Sequence, residues 1–294
     1  MKKIILSTII SFFFEVGFGQ LKIESGAQWI TTGNTTVVLN DIGLINSGTF
    51  ISGTGSFKFT GTQDYGITGV NLPNFYIIEI AKSPTAKVTL ARDINVSSSI
   101  NFISGLFDLQ GSKVVLASNA FVAGETEANR IIAGSGFIEI TQNLNSPNGS
   151  NPGNLGAFIT SSENLGSVIV RRGHIALNGT NVATSINRYY QIWPTNNTNL
   201  NATLRLKYFD AELNGQNENS LVIYQNFGPG GTWNNLSKTS NSTNSNYVEK
   251  NGLANLAYQI LANDNSVAGA VTGLTFTGQR KKATEVQLNW TSQT

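Results

Sequence analysis

The chain holds one histidine, His174, at the end of "VRRGH" (170–174). A single imidazole excludes a two-histidine mechanism or a His-rich metal centre, and no G-x-S-x-G turn offers it a serine nucleophile. Beside two arginines at a strand end, its expected role is hydrogen bonding. Neighbouring strand residues face opposite ways, so at most one of Arg171 and Arg172 is expected against the core. Paired carboxylates would serve glycoside hydrolysis. Glu79, Asp93 and Asp108 fall on different predicted strands; whether they share a face stays open, and separate solvated carboxylates are the competing reading. Glu125 and Glu127 in "GETEAN" (124–129) read as loop residues. Asp210 and Glu212 in "YFDAELNG" (208–215), with Asn214 nearby, offer oxygen ligands to calcium, unless they only stabilise a turn. Tyr189, Tyr190 and Trp233 are the candidate ligand-binding aromatics, able to stack on sugar rings; packing in the core is their alternative, as it is for Trp193.

The elements that would carry these residues are strands. Helical periodicity is nearly absent after the first residues, and short alternating or β-branched runs recur between Gly, Asn and Ser. Examples are "TTVVLN" (35–40), "GSFKFTG" (55–61), "NFYIIEI" (74–80), "AKVTLA" (86–91), "GLFDLQG" (105–111) and "SKVVLAS" (112–118). "GTGSFKFT" (53–60) and "GSGFIEIT" (134–141) resemble each other, as if separated by four turns of roughly 20 residues. A unit of that size buries its apolar side only by stacking on the next. The reading is a parallel β-solenoid or close relative, with an antiparallel sandwich as the alternative. "NLNSPNGSNPGN" (143–154) interrupts the pattern as a turn-rich connection. Longer strands follow: "GSVIVRRGHIAL" (166–177), "RYYQIW" (188–193), "NATLRLKYF" (201–209) and "NSLVIYQNF" (219–227). Leu204, Leu206 and Tyr208 alternate with Thr203, Arg205 and Lys207, as in an antiparallel sheet with one wet face. "SKTSNSTNSNY" (237–247) reads as a polar surface loop.

The opening "MKKIILSTIISFFFEVGFGQ" has a basic start, an apolar run too short to span a bilayer, and a small-residue exit, the pattern of a secretory signal. Cleavage is expected between Gly19 and Gln20. No cysteine is present, so neither a disulfide nor a thiolate site can form. A formal net charge of +2 without a long basic run disfavours nucleic acid and anionic membranes as partners. Only 12% of residues are charged while 40% are hydrophobic, which opposes disorder and fits an extracellular β-protein with an amide- and hydroxyl-covered surface.

The stretches "NLGAFITSSENLGSVIVRRGH" and "NRYYQIWPTNNTNLNATLRLKYFDAELNGQNENSLVIYQNFGPGGTW", after Gly-rich repeats such as "INFISGLFDLQGSKVVLAS" (100–118), resemble a module of large secreted and surface proteins of the Bacteroidota. In that group a fibronectin type III-like domain with a "VQLNWT"-type strand commonly follows, and a C-terminal sorting domain for type IX secretion ends the protein. The resemblance implies architecture and location and no catalytic residues. "EVQLNWTSQT" (285–294) then reads as the unpaired first strand of a truncated fibronectin type III-like domain, and the chain as a fragment of a longer protein.

The expectation is an all-β chain: a signal peptide (1–19), a parallel β-solenoid-like region (20–142), an antiparallel β-sandwich (143–265), and a linker with the start of the truncated domain (266–294). Its expected function is that of a non-enzymatic exported structural or adhesion-type protein, extracellular or on the outer cell surface. Its partners would be extracellular glycans or surface proteins. It is not membrane-spanning after signal removal and needs no cofactor unless calcium binds. The alternative is a carbohydrate-binding module or a polysaccharide-degrading solenoid enzyme.

Overall fold

The computed structural model describes residues 19–264 apart from 133, 180 and 229–231, together with the backbone of 275–282 and 285–291. The first half is a parallel coil. Its first turn is β1 (Gln20–Ile23), β2 (Gln28–Ile30) and β3 (Thr36–Asn40). The second is β4 (Gly43–Asn46), β5 (Thr49–Ile51) and β6 (Ser56–Gly61). The third and fourth are β7 (Tyr65–Thr68) with β8 (Asn74–Lys82), and β9 (Lys87–Leu90) with β10 (Ile94–Ser104), each long strand replacing two short ones. The fifth is β11 (Leu106–Asp108), β12 (Lys113–Leu116) and β13 (Phe121–Ala123), and the last is β14 (Ile131–Ile132) with β15 (Phe137–Asn145). The signal-like segment lies outside the described residues except for Gly19, whose carbonyl accepts the Gly43 N–H at 3.3 Å; Gln20 opens β1.

The coil holds because each turn lays an inward apolar residue over its counterpart in the turn before. Leu21, Leu44, Ile67 and Leu90 form one such column, and Phe57, Ile78, Ile100 and Val122 another. Near the start, Phe50, Phe57 and Phe75 meet at ring distances of 4.9 to 5.4 Å, with Trp29 at 6.4 Å from Phe57. Outward positions stack too: Asn95 donates to Asn74 at 2.6 Å, and the Lys58 ammonium lies 3.7 Å from Glu79.

The turn length read from the sequence holds, but the two look-alike segments are not equivalent. Phe57 belongs to the Phe57–Val122 column, whereas Ile138 lies over Val114 and Ile94 at the preceding station. They look alike because both stations need a glycine where the chain passes close to the turn below. A Cβ on Gly55 would stand 2.2 Å from the Thr35 carbonyl oxygen, and one on Gly136 2.3 Å from that of Ser112.

The boundary expected at 142/143 falls inside β15, which runs to Asn145. One edge of β15 pairs in parallel with β12 and the other antiparallel with β17 (Asn164–Gly173). The sheet continues through β18 (Tyr189–Pro194), β24 (Tyr258–Asn263), β20 (Leu221–Asn226) and β21 (Asn234–Asn235). The intervening Pro-Gly-Asn stretch, expected as a connection, is a 3-10 turn at Pro152–Asn154 that closes the end of the coil. Gly153 lies against Leu116 and Ile140, and the Asn154 amide donates to the Val122 carbonyl at 2.7 Å. A second sheet, β16 (Ala157–Thr160), β19 (Ala202–Lys207), β23 (Tyr247–Leu253) and β22 (Ser240–Ser242), faces the first. One apolar cluster runs from Ile23 through the coil to Leu261.

β19 shows the expected alternation, with Leu204, Leu206 and Tyr208 buried. β18 and β20 do not, because their other face is covered by a smaller core of Val182, Tyr189, Tyr224 and Trp233. The stretch expected as a surface loop at 237–247 is in part the hairpin of β22 with β23. The terminal strand anticipated at 285–294 is β26 (Glu285–Thr291). It is not unpaired: β25 (Thr275–Lys282) pairs with it antiparallel, Phe276 opposite Trp290. Most of the expected linker before β25 lies outside the described residues.

Candidate functional site

Where the last turns of the coil meet the sandwich, two arginines, two glutamates, a histidine and a tyrosine are buried together. In β17, alternation turns Val168, Val170 and Arg172 inward and sends Arg171 out, where it pairs with Glu139 and Gln191. Arg172 is 1% exposed and meets Glu125 through two parallel bonds of 2.9 Å, the fork geometry that suits guanidinium and carboxylate. Its Nε donates to His174 Nε2 at 3.2 Å, and a further N–H reaches the Leu155 carbonyl at 3.2 Å. His174 Nε2 is therefore the acceptor, leaving Nδ1–H to donate to Glu212 Oε1 at 3.2 Å.

Arg188, just before β18, lies 2.9 and 2.8 Å from the two oxygens of Glu212 and reaches the Lys207 carbonyl at 3.1 Å. The Phe209 ring lies beneath its guanidinium. Tyr190 Oη stands 3.0 Å from both the Leu155 and Lys207 carbonyl oxygens.

The electrostatics follow from this pairing. Burial is the strongest influence on His174 and pushes it down to about 4 against the bond to Glu212, so the ring is neutral. Burial alone would raise Glu212, but Arg188, His174 and the Phe209 N–H together bring it down to about 2. Glu125 is likewise held below the usual carboxylate range by Arg172 and Arg188, against the effect of burial. Burial pushes Tyr190 up.

A cleft of about 610 Å³ opens beside this cluster. Its walls come from the loop after β13, the turn at 151–158, the end of β19 and the β22–β23 hairpin tip. Across the cluster, a second cavity of about 390 Å³ is lined by His174, Ile175, Asn187 and Glu212. No protein-family model matches the chain, nor does any curated protein or solved structure.

The structure places the sequence candidates as follows. Tyr189 and Trp233 lie in the smaller core, 7% and 5% exposed, and the indole N–H of Trp233 donates to the Asn178 carbonyl at 3.3 Å. Tyr190 is buried at the ion cluster. None of the three presents an open ring to a ligand, because Tyr189 and Trp233 pack in the smaller core and Tyr190 in the main one. Trp193 is partly exposed, edge-on to Tyr258 and beneath Arg171.

Asp210 and Glu212 point apart. Both Glu212 oxygens are taken by Arg188, with His174 and the Phe209 N–H completing them. Asp210 is exposed and accepts from Asn246 at 2.6 Å. Among the described residues no group of three or more His, Cys, Asp or Glu is arranged to hold a metal ion.

Glu79, Asp93 and Asp108 do not converge. Glu79 faces Lys58, Asp93 accepts the Lys113 N–H at 2.7 Å, and Asp108 is buried against Lys87 at 2.9 Å. Glu125 and Glu127 do belong to a loop, yet both reach across to the sandwich. Glu127 accepts the Asp210 and Ala211 N–H groups at 2.9 and 3.1 Å. Arg188 and Lys207 are site residues that sequence reasoning did not single out, and Glu125 was read only as a loop residue. The only signal was a charged residue at an inward strand position, Arg172, demanding a partner from elsewhere.

In the cluster every charge has a fixed counter-charge, and both ring nitrogens of His174 are engaged. This arrangement ties two parts of the chain together.

Proposed function

We propose that the chain is an exported, non-enzymatic structural and adhesion-type protein of a cell surface or its surroundings, with the coil as a spacer and the sandwich as its presenting end. The observation that carries this reading is the junction: β15 belongs to both halves, and Arg172–Glu125 bonds one to the other. A continuous sheet and core make a stiff unit suited to holding a surface at a distance. The signal-like N-terminus and the resemblance to Bacteroidota surface modules agree with it, as does the neutral, amide-rich exterior.

Two assays test it together. Protease applied to intact producing cells should remove the protein, and the purified chain should release no product from plant and algal polysaccharides. Turnover that disappears on Asp93→Ala or Asp108→Ala would refute the non-enzymatic reading, and a protein recovered only inside the cells would refute the surface one.

A further inference from the structure

The cleft beside the ion cluster has the lining of a binding site for an uncharged, hydroxyl-rich ligand, and we propose that it takes a short neutral oligosaccharide. The proposal deepens the adhesion reading and rests on it. The volume of about 610 Å³ lies within the range of small-ligand sites.

Charge narrows the ligand class. Arg172, Arg188 and Lys207 line the cleft together with Glu125, Glu127 and Asp210, three cations against three carboxylates. Arg172 and Arg188 are already neutralised by Glu125 and Glu212, while Glu127 and Asp210 hold backbone N–H groups and Asn246. A sulfated or uronate-rich chain finds no excess positive charge here, and a cation no free carboxylate pair.

The uncommitted groups are of the opposite kind. At the tip of the β22–β23 hairpin, the side chains of Thr243, Asn244 and Ser245 make no hydrogen bond among the described residues, and Asn244 and Ser245 are exposed at the rim. A primary amide both donates and accepts, so it can bridge the vicinal hydroxyls of a sugar.

The cleft also has an apolar platform. β16 sends Ala157 and Ile159 into the core and Phe158 outward, partly buried, into the cleft wall. The face of an outward phenyl ring suits the C–H side of a pyranose. Phe209 lines the same cleft, already backed by Arg188.

The test is a calorimetric titration of the full chain with neutral hexasaccharides of glucose, xylose and mannose, with oligogalacturonate and a sulfated oligosaccharide as comparators. The expected result is saturable binding of at least one neutral hexasaccharide, weakened about tenfold or more by Phe158→Ala and by Asn244→Ala while the melting temperature holds. Asn244 is at an exposed hairpin tip, so Asn244→Ala decides the matter if Phe158→Ala fails to fold. Binding unaffected by either variant, a preference for the charged comparators, or no binding to any neutral hexasaccharide would overturn the proposal. A protein on the cell surface that binds none of these sugars would leave the surface reading standing while this site assignment fails.

Discussion

At the scale of single residues, the junction concentrates buried charge that only its pairing makes tolerable. Removing one member of a buried ion pair generally costs about 3–5 kcal/mol, because its partner stays buried and uncompensated. His174 is the titratable member within reach of ordinary pH. Its folded pKa of about 4 lies below the ordinary value of 6.5, so the unfolded chain binds the proton more readily than the folded one. The contribution of the neutral ring is complete above pH 6.5 and is lost progressively as pH falls toward 4. Glu212 and Glu125 add their own loss only below the ordinary carboxylate range, as pH falls from about 4.5 toward 2 for Glu212. As the chain has one histidine, the interval between pH 6.5 and 5 belongs to it. Urea midpoints of the parent chain should fall between pH 7 and pH 5, and those of His174→Gln should change far less. The opposite facing of Arg171 and Arg172 was legible in the sequence, because alternation is a local rule. Glu125 was not, since it lies 47 residues from Arg172 and only the coil's last turns bring it there.

At the scale of elements, the coil is a stack of inward columns whose spacing the sequence carries but whose phase it conceals. "NFYIIEI" and "SKVVLAS" read correctly as strands because β-branched and aromatic residues dominate them between turn-forming neighbours. β10 was harder, because Ser97, Ser98 and Ser99 interrupt the alternation at a register shift between Val96 and Ser99. The resemblance of 53–60 to 134–141 misled as to phase because the close approach that requires Gly55 and Gly136 occurs at more than one station. Phe57 lies fully buried among three other aromatic rings, so Phe57→Ala should cost about 3–5 kcal/mol, read as a drop in the denaturation midpoint. Lys58→Ala, on the outward face of the same strand, should fall within about 0.5 kcal/mol of the parent. Equal losses in the two variants would show that Phe57 is not held in a packed column.

At the scale of the whole molecule, the all-β class and the order of coil before sandwich were legible from period and turn chemistry. The fusion of the two was not. A stretch such as "NLNSPNGSNPGN" carries every mark of a hinge, yet its first residues finish a strand and its Pro-Gly pair closes the coil. The candidate site was correspondingly hard to find, because its walls come from four segments far apart in sequence, while the conspicuous aromatics Tyr189, Tyr190 and Trp233 serve the core.

A stiff spacer carrying a presenting end requires that coil and sandwich open as one body. Native-state hydrogen exchange of the full chain, resolved to peptides from β12, β15 and β17, measures this directly. The expected result is that the amides of all three strands share one opening free energy, with β15 among the slowest to exchange. Exchange of β12 at markedly lower free energy than β17, with the amides of β15 divided between the two values, would contradict a fused junction.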